Sequence, residues 1–278
     1  MDVTATPREI LVATDFSDGA DVALRQAFEL AGRHDAHVTL LHVAPRGVSR
    51  QMLRTARQSL QNLVRDAPVP ADTRLISGVA SREIADEAER RGADLVIIGV
   101  HGAHWLWDVF VGSTAEMVVG VCRVPVLVVK FPAAYHYDNV VLAVDTSSMS
   151  FRAAQWGLTL TPTARHSVVH AVNILGENLV RLNGADDEAI DELRRGQISA
   201  VRPDVERMAG ELVPLPAHVT LEPGRPEQLV SQLPEHYGAD LLVVGTERGA
   251  GVRRALLGSV SRHAMQRAPC DVLVVPVQ

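Results

Sequence analysis

Ala93-Asp94-Leu95-Val96-Ile97-Ile98 runs straight into Gly99-Val100-His101-Gly102, and Gly112-Ser113-Thr114 follows after nine more residues. An acidic start before an unbroken apolar run reads as a strand buried on both faces, the mark of a parallel sheet with helices on either side. A glycine at the C-terminal end of such a strand allows a sharp turn and the close approach of a ligand. The run Thr114 to Val121 reads as a helix. Gly112 and Ser113 therefore precede a helix start, where free backbone N–H groups and a hydroxyl attract an anion. The spacing Gly-x2-Gly-x9-Gly-Ser describes a loop that can hold phosphates. It is not a P-loop, because no Gly-Lys-Ser or Gly-Lys-Thr follows a glycine-rich turn, and it is not the Gly-x-Gly-x-x-Gly dinucleotide fingerprint.

Upstream of this stretch, strands and helices alternate. Glu9 to Thr14 reads as a first strand ending at Asp15, and Ser17 or Asp18 caps a helix bearing Val22, Ala23, Leu24, Ala27, Phe28, Leu30 and Ala31. His37 to Val43 is a second strand, residues 48 to 66 are helical, and Thr73 to Ile76 is a short third strand. Ser81 is expected to cap the next helix, which carries Ile84, Ala85 and Ala88. The stretch Val124 to Val129 completes five strands. Such alternation predicts a parallel α/β sheet with right-handed crossovers.

The order then begins again. Asn139 to Asp145 matches the first strand and Asp15, an offset of 130 (145 − 15), and Ser167 to Val172 matches the second strand. Ala239 to Gly245 repeats Ala93 to Gly99, Gly258-Ser259 repeats Gly112-Ser113, and Leu273-Val274-Val275 repeats Leu127-Val128-Val129, all at an offset of 146 (245 − 99). The additional residues are expected between Asn173 and Gly210, in a charged stretch that reads as a longer solvated helix and loop. A repeat of this length means two homologous domains rather than a solenoid, joined near Lys130 to Asp138.

The chain length of 278 residues suits two domains, and 47% apolar with 22% charged residues is the composition of a globular protein. A net charge of −6 speaks against a broad nucleic-acid footprint. No apolar run approaches the ~20 residues needed to span a bilayer, and residues 1–9 lack the basic start and apolar core of a signal peptide. The two cysteines, Cys122 and Cys270, have no metal-ligand spacing. A cytoplasmic protein without nucleic-acid or membrane partners is expected.

The glycine loop, set after a fourth strand and before a helix, resembles the nucleotide loop of the ATP-binding branch of the universal stress protein family. The resemblance covers essentially all of both halves and is to the tandem form. It implies an α/β fold of two tandem domains, residues 1–133 and 134–278. Each would be an open five-stranded parallel sheet flanked by helices, Rossmann-like and similar to the adenine nucleotide alpha hydrolases. It also implies that Val124–Val129 and Val272–Pro276 pair across an intrachain pseudo-dimer, which would cover two sticky edges; a homodimer is left open.

Position alone leaves Asp15 either as a ligand-crevice residue at a strand end or as a cap of the next helix. By the resemblance, Asp15 contacts adenine or ribose and the backbone of Val43 hydrogen-bonds adenine. Gly99, Gly102, Gly112, Ser113 and Thr114 then hold ribose and phosphates. ATP is the implied ligand, with magnesium as its counter-ion. His101 and His104 read as loop histidines facing solvent or phosphate, without the carboxylate or cysteine that would complete a metal shell. Trp105 and Trp107 depart from the family and pack over the loop or stack on a base or partner. A second, degraded site is expected from Asp145, Val172, Gly245, Gly258 and Ser259. There Arg248 replaces Gly102, and either blocks the backbone approach or joins Arg253 and Arg254 in clamping phosphate. The first half is expected to be the principal site. The function implied is a nucleotide-binding stress or regulatory switch. Its rivals are a slow ATPase and a nucleotide-free dimerisation module. No Walker lysine, catalytic base or metal cluster stands out for phosphoryl transfer.

Overall fold

Ile10, Leu11 and Val12 are all buried, and so are Leu95 to Ile98 and Val126 to Val129. Strands so apolar on both faces have to be covered twice, and helices supply both covers. In the computed structural model, which describes residues 6–100, 112–130, 136–247 and 257–277, the first half runs β1 (Glu9–Ala13), α1 (Asp18–His34), β2 (His37–Ala44), α2 (Arg50–Val64), β3 (Ala71–Ser77), α3 (Ala80–Arg91), β4 (Leu95–Gly99), α4 (Ser113–Val121) and β5 (Val126–Val129). The second runs β6 (Asn139–Val144), α5 (Ser148–Leu160), β7 (Arg165–Val172), α6 (Glu177–Leu182), α7 (Asp187–Gly210), β8 (His218–Pro223), α8 (Pro226–His236), β9 (Leu241–Glu247), α9 (Ser259–Arg267) and β10 (Asp271–Val277).

Each half is a five-stranded parallel sheet, and the two merge into one ten-stranded sheet of order β3-β2-β1-β4-β5-β10-β9-β6-β7-β8. The seam between β5 and β10 is antiparallel, as expected for the two fifth strands. Val126 faces Val274, Leu127 faces Leu273 and Val128 faces Val272. Leu273 is the repeat of Leu127 (273 − 127 = 146), so the seam pairs each strand with its own counterpart, as a twofold dimer interface does. Strand alternation carries both cores across it. Leu127 and Leu273 belong to the core under α1 and α5, whereas Val126, Val128, Val272 and Val274 belong to the core under α3, α4, α8 and α9.

Local chemistry explains most helix boundaries. Ser17 caps α1 by accepting from Ala20 N, and Asp35 ends that helix in the left-handed region. For α3 the expectation fails. Its N-cap is Val79 with no side-chain hydrogen bond, while Ser81 is inside the helix and buried against the sheet. The extra residues of the second half lie where expected and form α6 and the long α7, in place of α2. Val205, Met208 and Ala209 bury one end of α7, whereas Leu179 and Leu182 on α6 are exposed.

A buried polar tie holds the join. Asp271 accepts from the backbone N of Lys130 at 2.7 Å and from the Tyr137 hydroxyl at 2.7 Å. Lys130 Nζ donates to the carbonyls of Ala264 and Ala268 at 3.3 and 2.8 Å, at the C-terminal end of α9 where the helix dipole favours a cation. Burial brings the Lys130 ammonium down to about 8 and pushes the Cys270 thiol up to about 12. Residues on both sides of the join thus meet at the start of β10.

Two buried histidines set an acid limit. His34 Nε2–H donates to the Leu160 carbonyl across the two halves at 2.9 Å, and His166 Nε2–H donates to Thr161 Oγ1 at 2.9 Å. Burial lowers the first and brings the second down to about 4. Below the ordinary imidazole value of 6.5 the unfolded chain takes up protons that the folded chain refuses. Stability is therefore full above pH 6.5 and falls as the pH drops towards 4, by about 1 kcal/mol per pH unit for His166. Urea unfolding at pH 7 and pH 5 is expected to show this loss. In His166→Asn the pH slope should shrink to the part left by His34.

Candidate functional site

Strand order 3-2-1-4-5 places the reversal of winding between β1 and β4, and an open α/β sheet binds ligands outside the strand ends at that point. There Asp15, Val43, Gly99, Gly112 and Thr114 line one cavity of about 130 Å³, with Thr14, Ala80, Ile84 and Ala115 among its other walls. Ser113 begins α4 next to this cavity without lining it. Gly102, His101, His104, Trp105 and Trp107 fall outside the described residues.

The turn after β1 is held by its own side chains. Asp15 Oδ1 accepts from Ser17 N at 3.0 Å, and His42 Nδ1–H donates to the Thr14 carbonyl at 2.8 Å. Phe16 sits between them at φ 66°, its ring 4.5 Å from that of His42. The second half repeats each feature: Asp145 Oδ1 accepts from Ser147 N at 3.0 Å, His170 Nδ1–H donates to the Val144 carbonyl at 2.9 Å, and Thr146 has φ 66°. Positive φ costs a bulky or β-branched residue about 1–3 kcal/mol and clusters at functional sites. Asp15 lines the cavity and braces the turn, while the cap of α1 is Ser17.

Gly112 and Gly258 are the N-caps of α4 and α9, and neither makes a side-chain capping bond. Among the described residues, the N–H groups of Ser113 and Thr114 have no partner, as an anion cradle requires. Gly112 has φ −64° and Gly258 φ −57°, so neither needs the left-handed region.

Gly99 is glycine for a steric reason. A Cβ on it would lie 2.5 Å from the carbonyl carbon of Gly19 and 2.9 Å from Ala20 N, so the start of α1 rests directly on the end of β4. In the second half Met149 stands in place of Gly19 (149 − 19 = 130). A Cβ on Gly245 would meet nothing closer than Ala153 Cβ at 3.5 Å. The looser contact goes with a larger cavity of about 450 Å³, lined by Asp145, Met149, Gly245, Gly258 and Ser259 and by the aliphatic side chains of β6, β9 and α8. The first cavity is of the order of the ~150 Å³ that holds one aromatic ring. The second falls within the ~300–1,000 Å³ that holds a whole small ligand.

Val172 is a correction. The matched histidines differ by 128 (170 − 42), because α5 has 13 residues against the 17 of α1, which the longer loop before β7 makes up only in part. The counterpart of Val43 is therefore Ala171, which lines the second cavity, while Val172 is buried in the core on the opposite face. Arg248 lies outside the described residues. Burial pushes the Asp145 carboxyl up, but hydrogen bonds from Ser147 and Ser150 outweigh it and hold the group below the usual carboxylate range.

Thr246 and Glu227 were not anticipated. Thr246, directly after Gly245, is 7% exposed and lines the cavity, and its Oγ1 has no hydrogen-bond partner among the described residues. Glu227 accepts from the Ser259 hydroxyl at 2.9 Å. Its own backbone N–H in the first turn of α8, and then Ser259, hold its carboxyl below the usual range. Both follow from the 146-residue offset, which sets Thr246 against Val100 and Glu227 against Ser81.

The universal stress protein family model matches residues 7–130 and 136–276, almost the whole chain in two copies. The chain belongs to the universal stress protein family. Its similarity to a universal stress protein of Mycolicibacterium smegmatis is 29% identity over 302 aligned residues, covering 98% of both chains. A universal stress protein of Methanocaldococcus jannaschii is 29% identical over 141 residues, which is 45% of this chain and 83% of that relative. Half of this chain thus corresponds to most of a complete family member. The crystal structure of a universal stress protein from Archaeoglobus fulgidus shares the fold over 96% of this chain and 98% of its own, with a TM-score of 0.74 at 19% identity.

Proposed function

We propose that this universal stress protein binds adenine nucleotides and serves as a stress-response or regulatory switch, holding ATP rather than turning it over rapidly. One observation carries the reading. In each half the aspartate that follows the first strand, a glycine in the C-terminal part of the fourth and a glycine-capped helix start meet around one largely apolar cavity. The ring system enters the apolar part. Asp15 and the backbone at Val43 orient base and ribose, and the N–H groups of Ser113 and Thr114 receive phosphate, with magnesium as its counter-ion. A cytoplasmic setting goes with this reading, since Cys122 and Cys270 are buried and neither is in a disulfide. Among the described residues no helix is long and apolar enough to cross a membrane.

Mass spectrometry of the gently purified protein should detect co-purified adenine nucleotide, and calorimetry should give micromolar or weaker affinity for ATP. Absence of both heat and thermal shift with millimolar ATP, ADP and AMP would refute the reading. Gly112→Val should remove most first-half binding with the circular dichroism spectrum unchanged. Valine tolerates the backbone angles of Gly112, while its methyl groups fill the space proposed for the anion.

A further inference from the structure

The two crevices differ at the place where a phosphate would sit. In the first, the matched position near the start of α3 is Ser81, which is buried, carries no charge and does not line the cavity. In the second, α8 contributes Glu227, whose carboxylate bonds to Ser259 at the N-terminus of α9. The positive end of that helix is therefore already met by a protein carboxylate. Arg225 belongs to Glu227's own surroundings. A polyphosphate placed there would stand beside a fixed negative charge, and like charges brought together at a binding surface oppose association. Nothing similar discourages an uncharged ligand. The cavity behind has room for a whole small molecule, and Thr246 Oγ1 waits in it without a partner among the described residues, buried and 3.8 Å from the position a Cβ on Gly258 would take. A buried hydroxyl left unpaired is costly and is satisfied by a ligand's polar atom.

We propose that Glu227 makes the second crevice a site for an uncharged nucleoside, satisfied by Thr246, and turns away the polyphosphate that the first crevice takes. The inference rests on the reading of both crevices as adenine-compound sites. The division of labour comes from three substitutions between matched positions. Ser81 becomes Glu227, Val100 becomes Thr246, and Gly19 becomes Met149. The first adds charge, the second adds a hydroxyl inside, and the third goes with the larger room.

The test is photolabelling of the full chain with 8-azidoadenosine and with 8-azido-ATP, competed with adenosine and ATP respectively, followed by peptide mapping. The parent should carry the adenosine label in the second half and the ATP label in the first. In Glu227→Gln, and in Glu227→Ser as a second variant that reproduces the first half, the ATP analogue should label the second half about tenfold more efficiently. Thr246→Val should weaken adenosine labelling of the second half by about tenfold, leaving ATP labelling of the first half unchanged. Equal ATP labelling of both halves in the parent, or a second half that the adenosine probe leaves unlabelled, overturns the inference while the nucleotide reading survives. If neither probe labels either half, the nucleotide reading itself falls.

Discussion

Gly99→Ala is expected to destabilise the protein by about 3 kcal/mol or more, at the upper end of what overpacking a core costs. The added methyl would have to enter the backbone of Gly19 and Ala20, which cannot rotate aside as a side chain could. Either α1 lifts from β4 or the strand end bends, and both elements belong to the first crevice. Gly245→Ala is the matched control. Its methyl would meet only ordinary contacts, at 3.5 Å or beyond. Its effect on stability should stay within about 0.5 kcal/mol, since alanine also loses less chain entropy than glycine. Urea midpoints for the two variants measure the difference. Similar losses in both would mean that the close approach of α1 to β4 is not the reason for glycine at position 99.

The second large effect is expected at the join. Asp271→Ala should cost about 3–5 kcal/mol, the usual consequence of removing one partner from a buried charged cluster. The Lys130 backbone N–H and the Tyr137 hydroxyl would lose their acceptor, and the Lys130 ammonium, already brought down by burial, would lose a nearby opposite charge. Tyr137→Phe removes one hydrogen bond from the same cluster and should cost about 1 kcal/mol. The two substitutions share a partner, so the double variant should be less destabilised than the sum of the singles. Strict additivity in denaturant titrations would show that the tie is not a single unit.

The fold was legible because its strands are covered on both faces. Continuous runs such as Leu95 to Ile98 announce a parallel sheet, and the 146-residue offset of Gly245, Gly258 and Leu273 announces its repetition. Asp15, Gly99 and Gly112 were readable for the same reason, being punctuation at the ends of obvious elements. What escaped depends on register and on contacts across space. Val172 was matched to Val43 at an offset of 129 (172 − 43), one residue from the 128 that the histidines set, and a one-residue slip leaves the apolar look of the strand intact while putting the side chain on the other face. Ser81 looked like a cap, yet packing draws it into the helix. Glu227 and Ser259 lie 32 residues apart, and nothing local in either segment reveals that a carboxylate and a helix start will meet. Gly99 lines the cavity, and the contact that demands glycine there is with the backbone of α1. A strand-end glycine signals close approach, and only the fold tells whether the approaching group is a ligand or, as here, Gly19.

The antiparallel seam of β5 and β10 also bears on how the molecule behaves on dilution. Two separate chains meeting through such a seam would fall apart as their concentration dropped, and their melting temperature would drift with it. Here the partner strand is supplied by the same chain, so its effective concentration is fixed by covalent connection and does not fall with the bulk. Every molecule carries one crevice of each kind, in a ratio that neither dilution nor expression level can change. A homodimer binds its two halves to one shared sequence, so that any change in one crevice appears in both. Fusion lifts that bond, and the contrast between Ser81 and Glu227 is a difference only a fused pair can keep.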